Sequence, residues 1–189
     1  MTGPAGPADP GRDPRTAPAL PPPLRTERLL LEPYVPGDEE DFVALFQDTR
    51  VSRWMGDGPS SEAEDRALFG RVFTKVYARG LFDVWAVRER AGGRYVGHAE
   101  IKRTDDADGH EIVYALTPAA WGSGLGTEVA EALVAHGFTA LGLTEVHATV
   151  DAANTASLAL LERIGFAHVR DITEDDGGTT RVLTRRRAG

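Results

Sequence analysis

The run Leu116-Thr117-Pro118-Ala119-Ala120-Trp121-Gly122-Ser123-Gly124-Leu125-Gly126-Thr127-Glu128 constrains this chain more than any other stretch. A strand-type segment ends at Leu116, glycines alternate at 122, 124 and 126, and a helix-type segment begins near Leu125. Without a Cβ, glycine opens backbone conformations closed to other residues and lets a ligand approach the main chain closely. The first N–H groups of a helix have no partner within it, and the helix dipole favours an anion there by roughly 0.3–1 kcal/mol. A strand, a glycine loop and a helix N-terminus in this order suit phosphate or pyrophosphate. An ordinary flexible turn would use the same glycines, so the rest of the chain has to decide between the two.

With 189 residues the chain fits one domain able to bury a sizeable core without staples. It has no cysteine, which excludes disulfides, a thiolate nucleophile and Cys-ligated metal centres. A net charge of −8 argues against general binding to nucleic acid or to anionic membrane, both of which need a basic footprint. No apolar run approaches the roughly 18 residues of a membrane span. Residues 1–23 hold eight of the twelve prolines and no apolar core, unlike a secretory leader. They are expected to form a disordered tail ahead of a domain spanning 24–185, with 186–189 as a C-terminal tail and the cytoplasm as location.

Along the chain, Arg28 to Tyr34 reads as a first strand and the acid-led segment Asp38 to Phe46 as a helix. A break at Gly56-Asp57-Gly58-Pro59 precedes a second helix, capped by Ser60 or Ser61, with Ala67, Leu68, Val72 and Val76 at helical intervals to about Ala78. From Phe82 the period becomes two. Phe82 to Arg88 and Arg94 to Arg103 pair across Ala91-Gly92-Gly93, and an acidic turn, Asp105 to Gly109, leads to a strand over His110 to Leu116. The next helix runs to about Ala140 with Leu125, Val129, Ala132 and Leu133 inward, followed by a strand over Glu145 to Val150. The turn Asp151 to Thr155 caps a helix over Ala156 to Ile164 that Gly165 stops as a left-handed cap. Phe166 to Ile172 and Thr179 to Thr184 close as a hairpin. The expectation is an α/β (α+β) domain: a mixed, mostly antiparallel sheet of about seven strands flanked by about four helices, the two late helices crossing over between parallel neighbours.

This order of elements, the loop Trp121-Gly122-Ser123-Gly124-Leu125-Gly126-Thr127-Glu128, and the downstream Asn154-Thr155-Ala156-Ser157 followed by Leu161-Glu162-Arg163-Ile164-Gly165-Phe166 resemble the GNAT superfamily of acyl-CoA-dependent N-acyltransferases. Within it the chain looks most like the ribosomal-protein N-terminal acetyltransferases, whose loop follows a strand of the type seen here as Glu111-Ile112-Val113-Tyr114-Ala115-Leu116. The resemblance covers about residues 26 to 185. It implies acetyl-CoA as donor, its pyrophosphate cradled by Gly122, Ser123, Gly124, Leu125, Gly126 and Thr127 beside Trp121. Main-chain groups near Leu116 would meet the pantetheine arm and thioester carbonyl where this strand splays from Glu145–Val150, and Asn154 would help fix the arm. The implied partner is an amine acceptor, either a protein N-terminus or a small molecule, with no nucleic acid and no membrane. The protein would be a monomer or homodimer.

Acetyl transfer to an amine needs a neutral amine, a stabilised tetrahedral oxyanion and a proton for the departing thiolate. Glu111 is the first candidate base and Glu100 the second; His98 and His110 lie near enough in sequence to relay a proton, and a solvated Glu111 paired with Lys102 is the plain alternative. Ser157, three residues after Asn154, is the candidate acid in the branch this chain resembles; its plain alternative is a first-turn helix residue bonded to the backbone. The chain departs from many family members at Leu161, where a tyrosine is common, and at Thr149, where related N-terminal acetyltransferases often carry glutamate. The five histidines show no paired ligand spacing, so no metal is expected. The acceptor is expected between the two N-terminal helices and the last hairpin, walled by Trp54, Met55 and Trp85, with Asp175 and Asp176 able to attract a cation. A non-catalytic acyl-CoA-binding sensor is the alternative from another class.

Overall fold

The computed structural model describes residues 20–56, 58–104 and 109–188. Of the expected tail at 1–23, residues 1–19 lie outside the described residues, as do Asp57, residues 105–108 of the acidic turn and Gly189 of the expected C-terminal tail. Strands β1 (Leu24–Arg25), β2 (Leu29–Glu32), β3 (Asp83–Glu89), β4 (Tyr95–Thr104), β5 (Gly109–Leu116), β6 (Glu145–Asp151), β7 (Ala167–Thr173) and β8 (Thr179–Arg186) form one sheet in the order β1-β2-β3-β4-β5-β6-β8-β7. The helices are α1 (Glu39–Gln47), α2 (Thr49–Ser52), α3 (Glu62–Arg71), α4 (Leu125–Thr139) and α5 (Thr155–Arg163). Every neighbouring pair is antiparallel except β5 with β6. The expected class and mostly antiparallel sheet are therefore present. The additional strand, β1, has two residues, too few to carry an alternating pattern, and the additional helix, α2, is a single turn.

Only one late helix joins parallel neighbours. The helix α4 crosses from β5 to β6, whereas α5 leads from β6 to β7 and β8 inserts between those two strands. The last hairpin causes this. Its returning arm, β8, pairs with β6 along the whole strand, from Glu145 opposite Arg186 to Asp151 opposite Thr180.

The two sheet faces carry separate cores, because successive strand residues point to opposite sides. On one face Leu29, Leu31, Trp85, Val87, Ala99, Ile101 and Ile112 pack against α4 and α5. On the other, Val84, Ala86, Tyr95 and Ala115 meet α1 and α3. Trp85 is fully buried on the first face, edge-on to His136 of α4, and its Nε1 donates to the Pro22 carbonyl at 2.9 Å. It is thus a core residue and cannot wall an acceptor site on the second face. In α4, Leu125, Val129 and Leu133 are buried as expected, but Ala132 is half-exposed and Ala130 and Val134 complete the stripe.

The second helix also differs from expectation. Ser61 caps α3 through a reciprocal box, its Oγ accepting from Glu64 N while its own N donates to Glu64 Oε2 at 2.8 Å. Ala67 and Leu68 then face outward, and Asp65, Phe69, Val72 and Val76 form the buried stripe. After Arg71 the helix widens to a π turn over Val72–Tyr77. That turn aims Tyr77 inward, where its hydroxyl donates to Val84 O at 2.9 Å and accepts from Tyr34 N at 2.8 Å.

Candidate active site

The seam between β5 and β6 organises the site. These strands share one register pair, Glu111 opposite His147, at the start of β5. Toward Leu116 and Val150 no further pair forms among the described residues, so the strands diverge and the sheet opens. On the closed side, β4 and β5 approach tightly: a Cβ on Gly97 would lie 2.2 Å from Ala115 O, which only a glycine tolerates.

At the open end the chain enters the glycine loop. Trp121 Nε1 donates to Leu116 O at 2.8 Å and folds the loop back over the strand end, leaving the indole half-exposed. Ser123 Oγ donates to Ala120 O at 2.8 Å. Gly122 and Gly124 both adopt left-handed conformations, φ 72° and 84°, which other residues take only at a cost. Gly124 is the N-cap of α4 and offers no side-chain oxygen to the N–H groups of Leu125, Gly126 and Thr127. Those donors at the positive end of a four-turn helix match an anionic ligand. Gly126 serves packing instead, since a Cβ there would meet Leu160 Cδ1 at 3.0 Å.

The loop is anchored by residues that sequence reasoning missed. Glu128, in the first turn of α4, accepts from Arg28 N at 2.7 Å, from Arg28 Nε at 2.8 Å and from Thr26 Oγ1. Burial opposes ionisation of Glu128, but those hydrogen bonds and the Arg28 charge outweigh it and lower its titration point. Arg28 Nη1 also donates to Ser123 O at 2.8 Å. In the sequence Arg28 reads only as the start of a strand and Thr26 carries no signal; their role is visible only once β2 is known to lie beside α4.

On the face shared with α1 and α3, β4 and β5 bring polar groups together. Lys102 stands opposite Glu111, Glu100 opposite Val113 and His98 opposite Ala115. Glu111 is buried and accepts from Thr149 Oγ1 at 2.9 Å. Glu100 lies beside it, its Oε1 2.9 Å from His98 Nε2 and its Oε2 3.3 Å from Lys102 Nζ. Burial raises the cost of charging Glu100, yet His98 and Lys102 overcome it and hold the carboxyl down at about 2. His98 Nδ1 lies 2.9 Å from the Tyr34 hydroxyl, itself 3.0 Å from that of Tyr95. An ionised carboxylate only accepts, so the His98 Nε2 proton points to Glu100 and Tyr34 can donate to Nδ1. Both candidate bases thus share one face, with Glu100 at the end of a buried relay. His110 is set apart from it; burial, then Arg103 and His147, outweigh Asp83 and lower its titration point.

The candidate acid lies on the opposite face. Asn154 caps α5, its Oδ1 accepting from Ser157 N at 3.2 Å. Ser157 Oγ sits 3.5 Å from the Tyr114 hydroxyl. Burial raises the Tyr114 titration point, an effect that the Ser157 contact partly offsets. In the sequence Tyr114 is one residue of the β5 strand; its alternation with Glu111 along that strand is what sends it to α5. Leu161 is buried in the α5 core stripe. Gly165, at φ 90°, ends that helix as expected, and Phe166 N closes back on Leu161 O at 3.0 Å.

Around the relay face, Trp54 is half-buried under the Arg53 guanidinium, 4.3 Å from its ring, and Met55 packs on the α1 and α3 core. Asp175 and Asp176 are exposed in the β7–β8 turn, where Asp176 Oδ1 accepts from Gly178 N at 2.8 Å. Among the described residues no helix is long and apolar enough to cross a membrane.

Comparison with known proteins places this geometry. The family model described as an acetyltransferase (GNAT) domain matches residues 28–167. An N-acetyltransferase of Bacillus subtilis, YoaA, is 31% identical over 147 residues, 76% of this chain and 81% of that protein. The structure of RimL, a ribosomal L7/L12 alpha-N-protein acetyltransferase in complex with coenzyme A, superposes with a TM-score of 0.73 at 15% identity, over 87% of this chain and 98% of that one. Spermidine N-acetyltransferase SpeG from Vibrio cholerae superposes with a TM-score of 0.68 at 17% identity, over 85% and 95%. The ribosomal-protein branch is therefore one of several that share the fold. With its family model spanning the open seam, the glycine loop and α5 together, this chain belongs to the GNAT acetyltransferases.

Proposed function

We propose that this acetyltransferase transfers the acetyl group of acetyl-CoA to a primary amine by direct attack within the β5–β6 seam. The observation that carries this reading is the divergence of β5 and β6 beyond Glu111 and His147, with a glycine-capped helix N-terminus at the open end. The residues fit the donor: the left-handed Gly122 and Gly124 keep side chains out of the cradle, and a Cβ on Gly122 would meet nothing within 4 Å. The RimL structure, which holds coenzyme A, supports the same assignment by its likeness of fold.

The two faces divide the chemistry. Glu111 accepts the amine proton on one face; Glu100, held down at about 2 by His98 and Lys102, is the weaker second candidate. A main-chain N–H near Leu116 donates to the oxygen that gains charge, as a preorganised donor does in acyl transfer generally. Ser157 and Tyr114, on the opposite face, hold hydroxyl protons toward the departing sulfur. This arrangement suits an amine that approaches from the α1 and α3 side while thiol leaves on the α5 side. Tyr114 supplies from β5 a hydroxyl that α5 lacks at Leu161.

The names of RimL and SpeG span a protein N-terminus and a polyamine, so both acceptor classes belong in the test. Acetyl-CoA is incubated with a panel of N-terminal peptides, polyamines and aminoglycosides, scored by free thiol and by mass gain on the amine. Thiol release matched by acetylated amine is expected. Tight acetyl-CoA binding with no turnover across the panel would instead favour the sensor, and loss of binding would remove the donor assignment.

A further inference from the structure

This inference rests on the donor reading above and adds a residue to its phosphate cradle. We propose that Arg28, in the turn between β1 and β2, binds the pyrophosphate of the acyl donor directly. It reaches the glycine loop from 100 positions before Glu128.

Arg28 is held in place by the loop it serves. Its Nε donates to Glu128 Oε2 at 2.8 Å and its Nη1 to Ser123 O at 2.8 Å. A guanidinium has five N–H donors, so among the described residues one on Nη1 and two on Nη2 remain. They are aimed at the cradle: a Cβ built on Gly124, the N-cap of α4, would lie 3.4 Å from Nη2 and meet no other atom within 4 Å. A planar fork fixed by a carboxylate is prearranged for the paired oxygens of a phosphate. Room exists beside it, in a cleft of about 760 Å³ lined by Arg25, Arg28, Arg90, Ser123 and Leu125. Glu27 and Glu89 also line that cleft, and Glu89 is spent on Arg94 at 2.7 Å.

The charge arrangement requires such a residue. Glu128 sits in the first turn of α4, where an unneutralised carboxylate would repel a pyrophosphate on the same helix end. Arg28 cancels that charge and leaves donors over for the ligand. The Arg28 side chain is 47% exposed, so its ion pair adds little to stability by itself, and placing a cation beside the loop is the larger effect.

The test is calorimetry of coenzyme A and of dephospho-coenzyme A, which lacks the 3′-phosphate, against wild type and Arg28→Met, from about 50 to about 300 mM KCl. Arg28→Met is expected to weaken both ligands by roughly 10- to 100-fold and to flatten their salt dependence. Equal affinities for wild type and variant would overturn the proposal. So would a weakening whose salt dependence stays parallel to wild type, which marks a purely structural anchor. A loss confined to coenzyme A would move the contact to the 3′-phosphate and overturn it as well. Should Arg28→Met fail to fold, Arg28→Lys, which keeps the charge without the fork, is expected to show a several-fold loss on both ligands; no loss there refutes the proposal. Wild type binding neither ligand would instead refute the donor reading itself.

Discussion

Thr149 donates its hydroxyl to Glu111 Oε2 at 2.9 Å across the only parallel seam among the described strands. The carboxylate proposed above as the base is therefore steadied by β6, a strand the chain reaches only after α4. Hydrogen bonds of this kind favour the charged form of a carboxylate. Glu111→Gln is expected to lower turnover by roughly 100-fold or more, the range of a lost general base. The loss should be greatest at low pH, where the amine most needs deprotonation. Thr149→Val keeps the shape and removes the donor, so a several-fold loss concentrated at the acidic end is expected. Steady-state rates across pH check both; profiles parallel to wild type would remove Glu111 as base.

Gly124→Asp tests the cradle. At φ 84° any side chain is strained by about 1–3 kcal/mol, and this one brings negative charge against the helix end. Coenzyme A affinity is expected to fall below detection by calorimetry. Unchanged affinity would show that the phosphates sit elsewhere.

Tyr114 and Ser157 are tested as a pair, because their hydroxyls lie 3.5 Å apart. Tyr114→Phe is expected to reduce kcat by roughly 10- to 100-fold with little change in KM for acetyl-CoA. Ser157→Ala should cost less, and the double variant should cost no more than Tyr114→Phe if the two act as a unit. Fully multiplicative losses would separate them.

Glu100 gives the fold a pH signature. Its titration point falls from 4.5 to about 2 because His98 and Lys102 outweigh the burial penalty. A depressed carboxylate contributes stability that is complete above its unfolded value and is lost as pH falls through the folded one. The window therefore lies between about 4.5 and 2, with a contribution on the order of 3 kcal/mol. Chemical denaturation of wild type and Glu100→Gln should show wild type losing stability more steeply across that window. Identical slopes would show that the pair adds nothing.

The sequence by itself determined the order of all the longer elements, the loop from Trp121 to Thr127, a capping turn within Asp151 to Thr155 and the Gly165 stop, because periodicity, capping and glycine conformation are local properties of the chain. Short pieces escaped it: β1 and α2 hold too few residues for a pattern, and the π turn at Val72 changes a period that the apolar spacing alone continues. Only the tertiary structure decided which face each side chain joins. Trp85 went to the α4 core and not to the acceptor side, Arg28 came to Glu128, Thr149 to Glu111 and Tyr114 to Ser157. Those contacts depend on sheet order and on the single seam left open between β5 and β6. Both are fixed by long-range pairing, which no run of neighbouring residues encodes.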